Sequence, residues 1–124
     1  MKPIERPQEA PFELPDQPLE VEFVAKYFRG FGEPTRLRIL ELLSEGERSV
    51  GELVGAVEES QPKVSNHLAC LRWCGFVESR REHRTVYYRV SDERVLRMIE
   101  LARGLLQDNA EHVAACHRIG DASA

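Results

Sequence analysis

The chain has 124 residues, 42% of them hydrophobic and 31% charged, and a net charge of −4. This is the size and make-up of one soluble domain that buries a core without disulfides or structural metal. No apolar run approaches the ~20 residues that span a bilayer, and the first twenty residues lack the apolar stretch of a secretory signal. Three cysteines make no even disulfide set, so reduced thiols, a cytoplasmic location and no membrane partner are expected.

The acidic total excludes a generally basic nucleic-acid coat but hides a local imbalance. Residues 60–103 hold nine Lys or Arg against five acids, whereas residues 1–59 hold seven against thirteen. A phosphate-facing surface needs local positive charge, not a basic average. A salt-bridged solvated face accounts equally well for the helix arginines, and less well for the cluster Arg80-Arg81-Glu82-His83-Arg84.

Residues 1–18 carry Pro3, Pro7, Pro11, Pro15 and Pro18, and read as an extended or disordered tail, with packing on a partner subunit as the alternative. Residues 19–115 read as the folded domain, and residues 116–124 as a C-terminal tail that starts with a thiol. Phe23, Val24, Tyr27, Phe28 and Phe31 recur at helical spacing and predict a first helix over Leu19–Phe31, ended by Gly32. Glu33-Pro34 opens a second helix with Leu37, Leu40 and Leu43 on one face, stopped by Ser44-Glu45-Gly46. Ser49-Val-Gly-Glu52 is a capping box opening a short third helix through Val57. Ser60 as N-cap and Pro62 in the first turn start a fourth helix, which runs to Cys74, with Gly75 suited to its left-handed end. Residues 76–81 and 85–90 are strand-like runs around a charged tip. Ser91-Asp92-Glu93 begins a last long helix with the stripe Val95, Met98, Ile99, Ala102, Leu105, Leu106, Asn109 and Val113. There is no internal repeat.

Two short helices joined by a tight turn, then a basic two-stranded wing, make a winged helix-turn-helix, a mainly α fold with a β-hairpin. At ~100° per residue, Val64, His67, Leu68 and Leu71 share the inward side of the fourth helix. Gln61, Pro62, Ser65, Asn66, Ala69 and Trp73 share the outward side, with Lys63 between. Ser60, Gln61, Lys63, Ser65 and Asn66 at such an end can contact base edges and phosphates of double-stranded DNA. A polar amphipathic helix is common by itself; the basic wing tips the balance toward DNA, with Arg81, His83 and Arg84 as backbone contacts. For His83 a solvated turn is an equal reading, and His67 reads as a structural hydrogen-bonding residue.

Residues 31–40 (FGEPTRLRIL), residues 64–71 (VSNHLACL) and the Gly75-Phe-Val77 wing entry together resemble the ArsR/SmtB family of metal-sensing repressors, over about residues 23–110. That resemblance implies a homodimer through the first and last helices, and operator DNA released when an inducer binds. Within the family, residues 66–75 look most like the branch that senses cadmium and lead, with a cysteine pair in this helix and a third thiol near the C-terminus. Two departures stand out: the third helix has no cysteine, and the last helix lacks the paired Asp/His and His/Glu ligands of the zinc sensors.

Cys70 and Cys74, at i and i+4, lie ~40° apart with Cβ atoms ~5–6 Å apart, so both sulfurs can meet one ion. Buried, inert thiols are the competing reading, because free cysteine is among the most buried residue types. Cys116 is the third thiol and follows the dimerising helix, from which it can close a three-sulfur site in either protomer; a passive thiol on a frayed end is the alternative. Three thiolates suit a soft ion, Cd(II) or Pb(II) first, then Hg(II) or As(III). Zn(II) normally takes four ligands and would need His112 or His117. A redox-responsive repressor without metal keeps the DNA reading, and a metal-buffering protein or a protein–protein module abandons it. No catalytic motif is visible, so an enzyme is not expected.

Overall fold

The computed structural model describes residues 19–116. The expectations for the proline-rich segment 1–18, for His117 and for the rest of the C-terminal tail lie outside them. In chain order the elements are α1 (Leu19–Phe31), α2 (Pro34–Ser44), β1 (Arg48–Ser49), α3 (Val50–Val57), α4 (Gln61–Trp73), β2 (Val77–Glu82), β3 (Thr85–Val90) and α5 (Glu93–Ala115). The mainly helical winged helix-turn-helix expected from the sequence is the fold observed.

Local chemistry sets the boundaries. Glu33 caps α2 by accepting from the Arg36 amide at 2.9 Å, with Pro34 in the first turn where no N–H is missed. The Ser49/Glu52 capping box is complete: the Ser49 amide donates to Glu52 Oε1 at 3.0 Å and the Glu52 amide to Ser49 Oγ at 3.1 Å. The helix α4 ends in a Schellman arrangement. The Phe76 amide donates to the Leu71 carbonyl at 2.9 Å and the Gly75 amide to that of Arg72 at 3.0 Å, with Gly75 at φ +81°. This turn sends the chain directly from α4 into the wing.

A strand that the sequence pattern does not announce completes the sheet. Arg48 and Ser49 pair with Tyr88 and Tyr87, giving the antiparallel order β1-β3-β2. Two residues abutting a capping box show no alternation, so periodicity cannot reveal them. The hairpin runs in register from Val77 opposite Val90 to Glu82 opposite Thr85, leaving His83 and Arg84 as a two-residue tip. Its first strand starts one residue later than the β-prone run in the sequence, because Phe76 belongs to the α4 terminus.

The core is formed by Ile39, Leu40 and Leu43 of α2, Leu53 of α3, Val64, Leu68 and Leu71 of α4, Phe76 and Val77 at the wing entry, Phe31, and Val95 and Ile99 of α5. Phe76 stacks against Phe31 at 4.4 Å and Tyr27 at 5.1 Å between ring centroids, fastening the end of α1 to the α4–wing corner. The α5 stripe is only partly used by this chain's own core. Only Val95 and Ile99 of it are buried, and every residue from 101 to 115 is exposed. At ~1.5 Å per residue, that bare stretch of helix is ~22 Å long. It bends at Asn109 (φ −126°, ψ 20°), whose side-chain amide donates to the Leu105 carbonyl at 2.9 Å.

The turn between α3 and α4 holds Glu58 at φ 56°, ψ 39°. A side chain in this left-handed conformation costs ~1–2 kcal/mol, which glycine avoids. Glu58→Gly is expected to stabilise the protein by about 1 kcal/mol, read as a higher urea midpoint at unchanged slope.

Candidate nucleic-acid and metal interface

The outward side of α4 is the one the wheel predicts. Gln61, Lys63, Ser65, Asn66 and Ala69 are exposed, while Val64, Leu68 and Leu71 have no accessible surface. Ser60 is the N-cap, its hydroxyl accepting from the Lys63 amide at 3.4 Å. Lys63 Nζ stands 3.6 Å from Glu59, a solvent-exposed pair of small energy that a phosphate can replace. Trp73, further along the same side, is 52% exposed.

The wing separates its charges by face. On one face Arg80 forks onto Glu47 at 2.6–3.0 Å, reaches Glu82 at 2.8 Å and lies 4.6 Å from the centre of the Tyr87 ring. Arg89 pairs with Glu78 on the same face. Hydrogen bonding to Glu47 first, then Glu82, pushes the Arg80 pKa up, and hydrogen bonding to Arg80 holds the Glu47 carboxyl below its ordinary value. Arg80 therefore belongs to the wing's own bracing, and this part of the basic cluster has the salt-bridge explanation. Arg81, His83 and Arg84 are exposed, and among the described residues neither Arg81 nor Arg84 has an ion-pair partner. His83 takes a left-handed φ of 57° at the tip.

Cys70 and Cys74 come together as helical spacing requires, and both are half-buried. Cys74 is nearer the core than its wheel angle suggests, because the α4 terminus is covered by α1 and Phe76. A Cβ built on Gly30 would stand 3.9 Å from Cys74 Sγ and 3.3 Å from a Phe76 ring carbon. Desolvation, then the neighbouring Cys70 thiol, pushes the Cys74 pKa up to about 11, against the opposing charges of Arg36 and Lys26. Cys116 caps the end of α5, its amide donating to the Val113 carbonyl at 3.1 Å. Within one chain, among the described residues, no three His, Cys, Asp or Glu side chains gather as a metal cluster. The structure thus brings two of the three thiols together and leaves Cys116 apart from them.

His67 behaves as the structural residue its inward angle suggests. Its Nδ1 faces Arg36 Nη1 at 3.5 Å, and its Nε2 faces Glu33 Oε2 at 3.6 Å. Partial burial works to raise the Glu33 pKa, but the Arg36 and Thr35 amides, with the His67 and Arg36 charges, hold it below its usual value. Arg36 also donates to the carbonyls of Gly30 at 2.8 Å and Arg29 at 3.1 Å. In the sequence, residues 33–36 signal only a helix start. A side-chain reach backward across Gly32 and forward to α4 has no periodic signature.

Comparison with known proteins agrees with this geometry. Residues 33–79 match the family model described as bacterial regulatory protein, arsR family. A probable mercury resistance operon repressor of Streptomyces lividans is 44% identical over 95 residues, covering 77% of this chain and 76% of that protein. The HTH-type transcriptional regulator CmtR of Mycobacterium tuberculosis is 33% identical over 102 residues, covering 82% and 86%. Among solved structures, a homodimeric winged helix-turn-helix DNA-binding domain from Mycobacterium bovis, described as a possible ArsR-family transcriptional regulator, superposes with a TM-score of 0.67 at 34% identity. It covers 74% of this chain and 85% of that one.

The Cys74 shift carries a sign for stability. A thiol whose folded pKa is raised stabilises the fold fully below the ordinary value of 9.0, and that contribution is lost as pH rises through about 11. The urea-midpoint difference between wild type and Cys74→Ala is therefore expected to shrink, or reverse, between pH 8.5 and 11.

Proposed function

Since the chain belongs to the arsR family of bacterial regulatory proteins, we propose that it is a homodimeric repressor that releases operator DNA when a soft metal ion binds its cysteines. As a member of that family it is a transcriptional regulator with a DNA-binding helix-turn-helix, not an enzyme. The observation that carries the finer reading is the sharing of α4. Two adjacent thiols occupy its C-terminal half, and an exposed polar face occupies its N-terminal half.

Dimerisation is supported by apolar surface that one chain leaves uncovered. Val21, Val24, Tyr27 and Phe28 of α1 and Met98, Leu101, Leu105, Leu106 and Val113 of α5 are all at least 38% exposed. A soluble monomer rarely shows so much contiguous apolar area without an interaction to bury it. A second copy applied along α1 and α5 would bury both helices. The two α4 helices would then meet successive major grooves of a pseudo-palindromic operator. Gln61, Ser65 and Asn66 read base edges, Ser60 and Lys63 hold phosphates, and Arg81, His83 and Arg84 follow the neighbouring backbone.

The donor set fits a soft ion. Cys70 and Cys74 would supply two sulfurs, and, because Cys116 does not reach them within its own chain, the third would be the partner subunit's Cys116. A three-thiolate site suits Cd(II) or Pb(II), as in the cadmium- and lead-sensing branch, with Hg(II) or As(III) also accommodated. The Streptomyces relative named for mercury resistance supports a soft inducer. Zn(II), or thiol oxidation without metal, is the second reading. The first needs His112 or His117 as a fourth ligand, and the second needs Cys116 as a partner, since thiols four apart on a helix make a poor disulfide. Drawing α4 toward the partner's terminus would take the two reading faces out of register with their half-sites. Allosteric couplings of this kind are typically ~1–3 kcal/mol, or about 5- to 150-fold in affinity.

Two measurements test the reading. Titration with Cd(II) or Pb(II) is expected to give thiolate charge-transfer absorption and to weaken operator binding at least fivefold, and Cys116→Ser should change the spectrum and abolish the weakening. An unchanged operator affinity in metal-loaded protein would refute the mechanism. Replacing Arg81 and Arg84 together with Ala is expected to weaken all duplexes alike and to lower the salt slope, by about one unit for each phosphate left unneutralised. A retained slope would remove the wing from the interface.

A further inference from the structure

The end of α1 meets the α4 terminus near Cys74 and is linked to the middle of α4 through Arg36 of α2. At the lower contact Cys74 and Phe76 close on Gly30. The upper contact is built by Arg36. It takes two of the last carbonyls of α1, Arg29 and Gly30, with Nη2 and Nε, and turns Nη1 to His67. Terminal carbonyls have no partner within their helix, and a guanidinium suits both their hydrogen-bonding need and the negative end of the dipole. His67 adjoins Asn66 in the chain, and its other nitrogen lies 3.6 Å from Glu33, whose carboxylate accepts from the Arg36 amide. The His67 side chain, next to the exposed face of α4, is thus flanked by two side chains of one α2 turn.

We propose that Arg36, acting through His67, is a positioning residue for base recognition. It fixes the rotation of α4 that aims Ser65 and Asn66, and it contacts no DNA itself. A neutral imidazole that accepts from Arg36 at Nδ1 carries its proton at Nε2, the nitrogen that lies 3.6 Å from Glu33. The two contacts therefore demand one acceptor and one donor from residue 67. Glutamine offers that pair and leucine offers neither. The proposal rests on the base-reading face assigned above.

The test uses the full chain and two duplexes, one selected from a random pool by the wild-type protein and the other a scrambled copy. Discrimination between them is the readout, because a residue that merely stabilised the fold would move the urea midpoint and leave the discrimination of folded protein intact. Arg36→Met and His67→Leu are each expected to lower discrimination by about tenfold, the scale of a single base-edge interaction, with an unchanged salt slope. His67→Gln is expected to restore it, and it keeps the test decisive should Arg36→Met fail to fold. Wild-type discrimination in His67→Leu, a His67→Gln no better than leucine, or a slope reduced by about one unit in Arg36→Met would each overturn the proposal. Asn66→Ala separates the two levels. If it lowers discrimination while Arg36→Met does not, the positioning role alone fails; if neither does, the reading face fails and the role goes with it.

Discussion

Everything about this protein depends on the burial of one side of a thirteen-residue helix. Val64, Leu68 and Leu71 have no accessible surface, and their burial orients α4 on α2, α3 and the wing entry. Each apolar side chain removed from water contributes ~1.5–3 kcal/mol. The helix therefore cannot roll cheaply, and its remaining positions have assigned duties. Polar residues near the first turn face solvent, two thiols sit toward the last turns, and the Gly75 turn launches the wing. In the proposed mechanism this one rigid element would carry two of the sensing thiols together with the reading face.

The wing shows the same economy. On its outer face Arg80 is held between Glu47 and Glu82, and Arg89 is paired to Glu78. The charges left for a partner sit on the opposite face and at the tip. Exposed pairs of this kind are worth little in stability. Under the proposed function, their value would be in keeping wing carboxylates neutralised near a phosphate backbone.

Much of this is legible in the sequence, for identifiable reasons. Helix ends are readable because Ser49, Glu52, Ser60, Pro34 and Gly75 act locally, through caps and permitted φ angles that depend on few neighbours. The inward and outward sides of α4 follow from the helical repeat. What escapes is non-local. The strand at Arg48 and Ser49 exists only through its pairing with Tyr88 and Tyr87. Arg80 looks like a free base until Glu47, 33 residues away, takes it. The α5 stripe is apolar in sequence, but periodicity cannot say whether such a stripe meets its own core or a neighbouring molecule. The cysteine pair is legible from spacing; the half-burial of Cys74 is not, since Gly30 comes from another helix.

The bare length of α5 has a physiological corollary. An unsupported helical segment of fifteen residues is marginal in water, so its order is borrowed from whatever lies against it. In the dimer proposed above, ordering of this arm would obey mass action and deepen with the copy number of the polypeptide. Under the proposed function, synthesis rate would then act on promoter occupancy alongside any inducer.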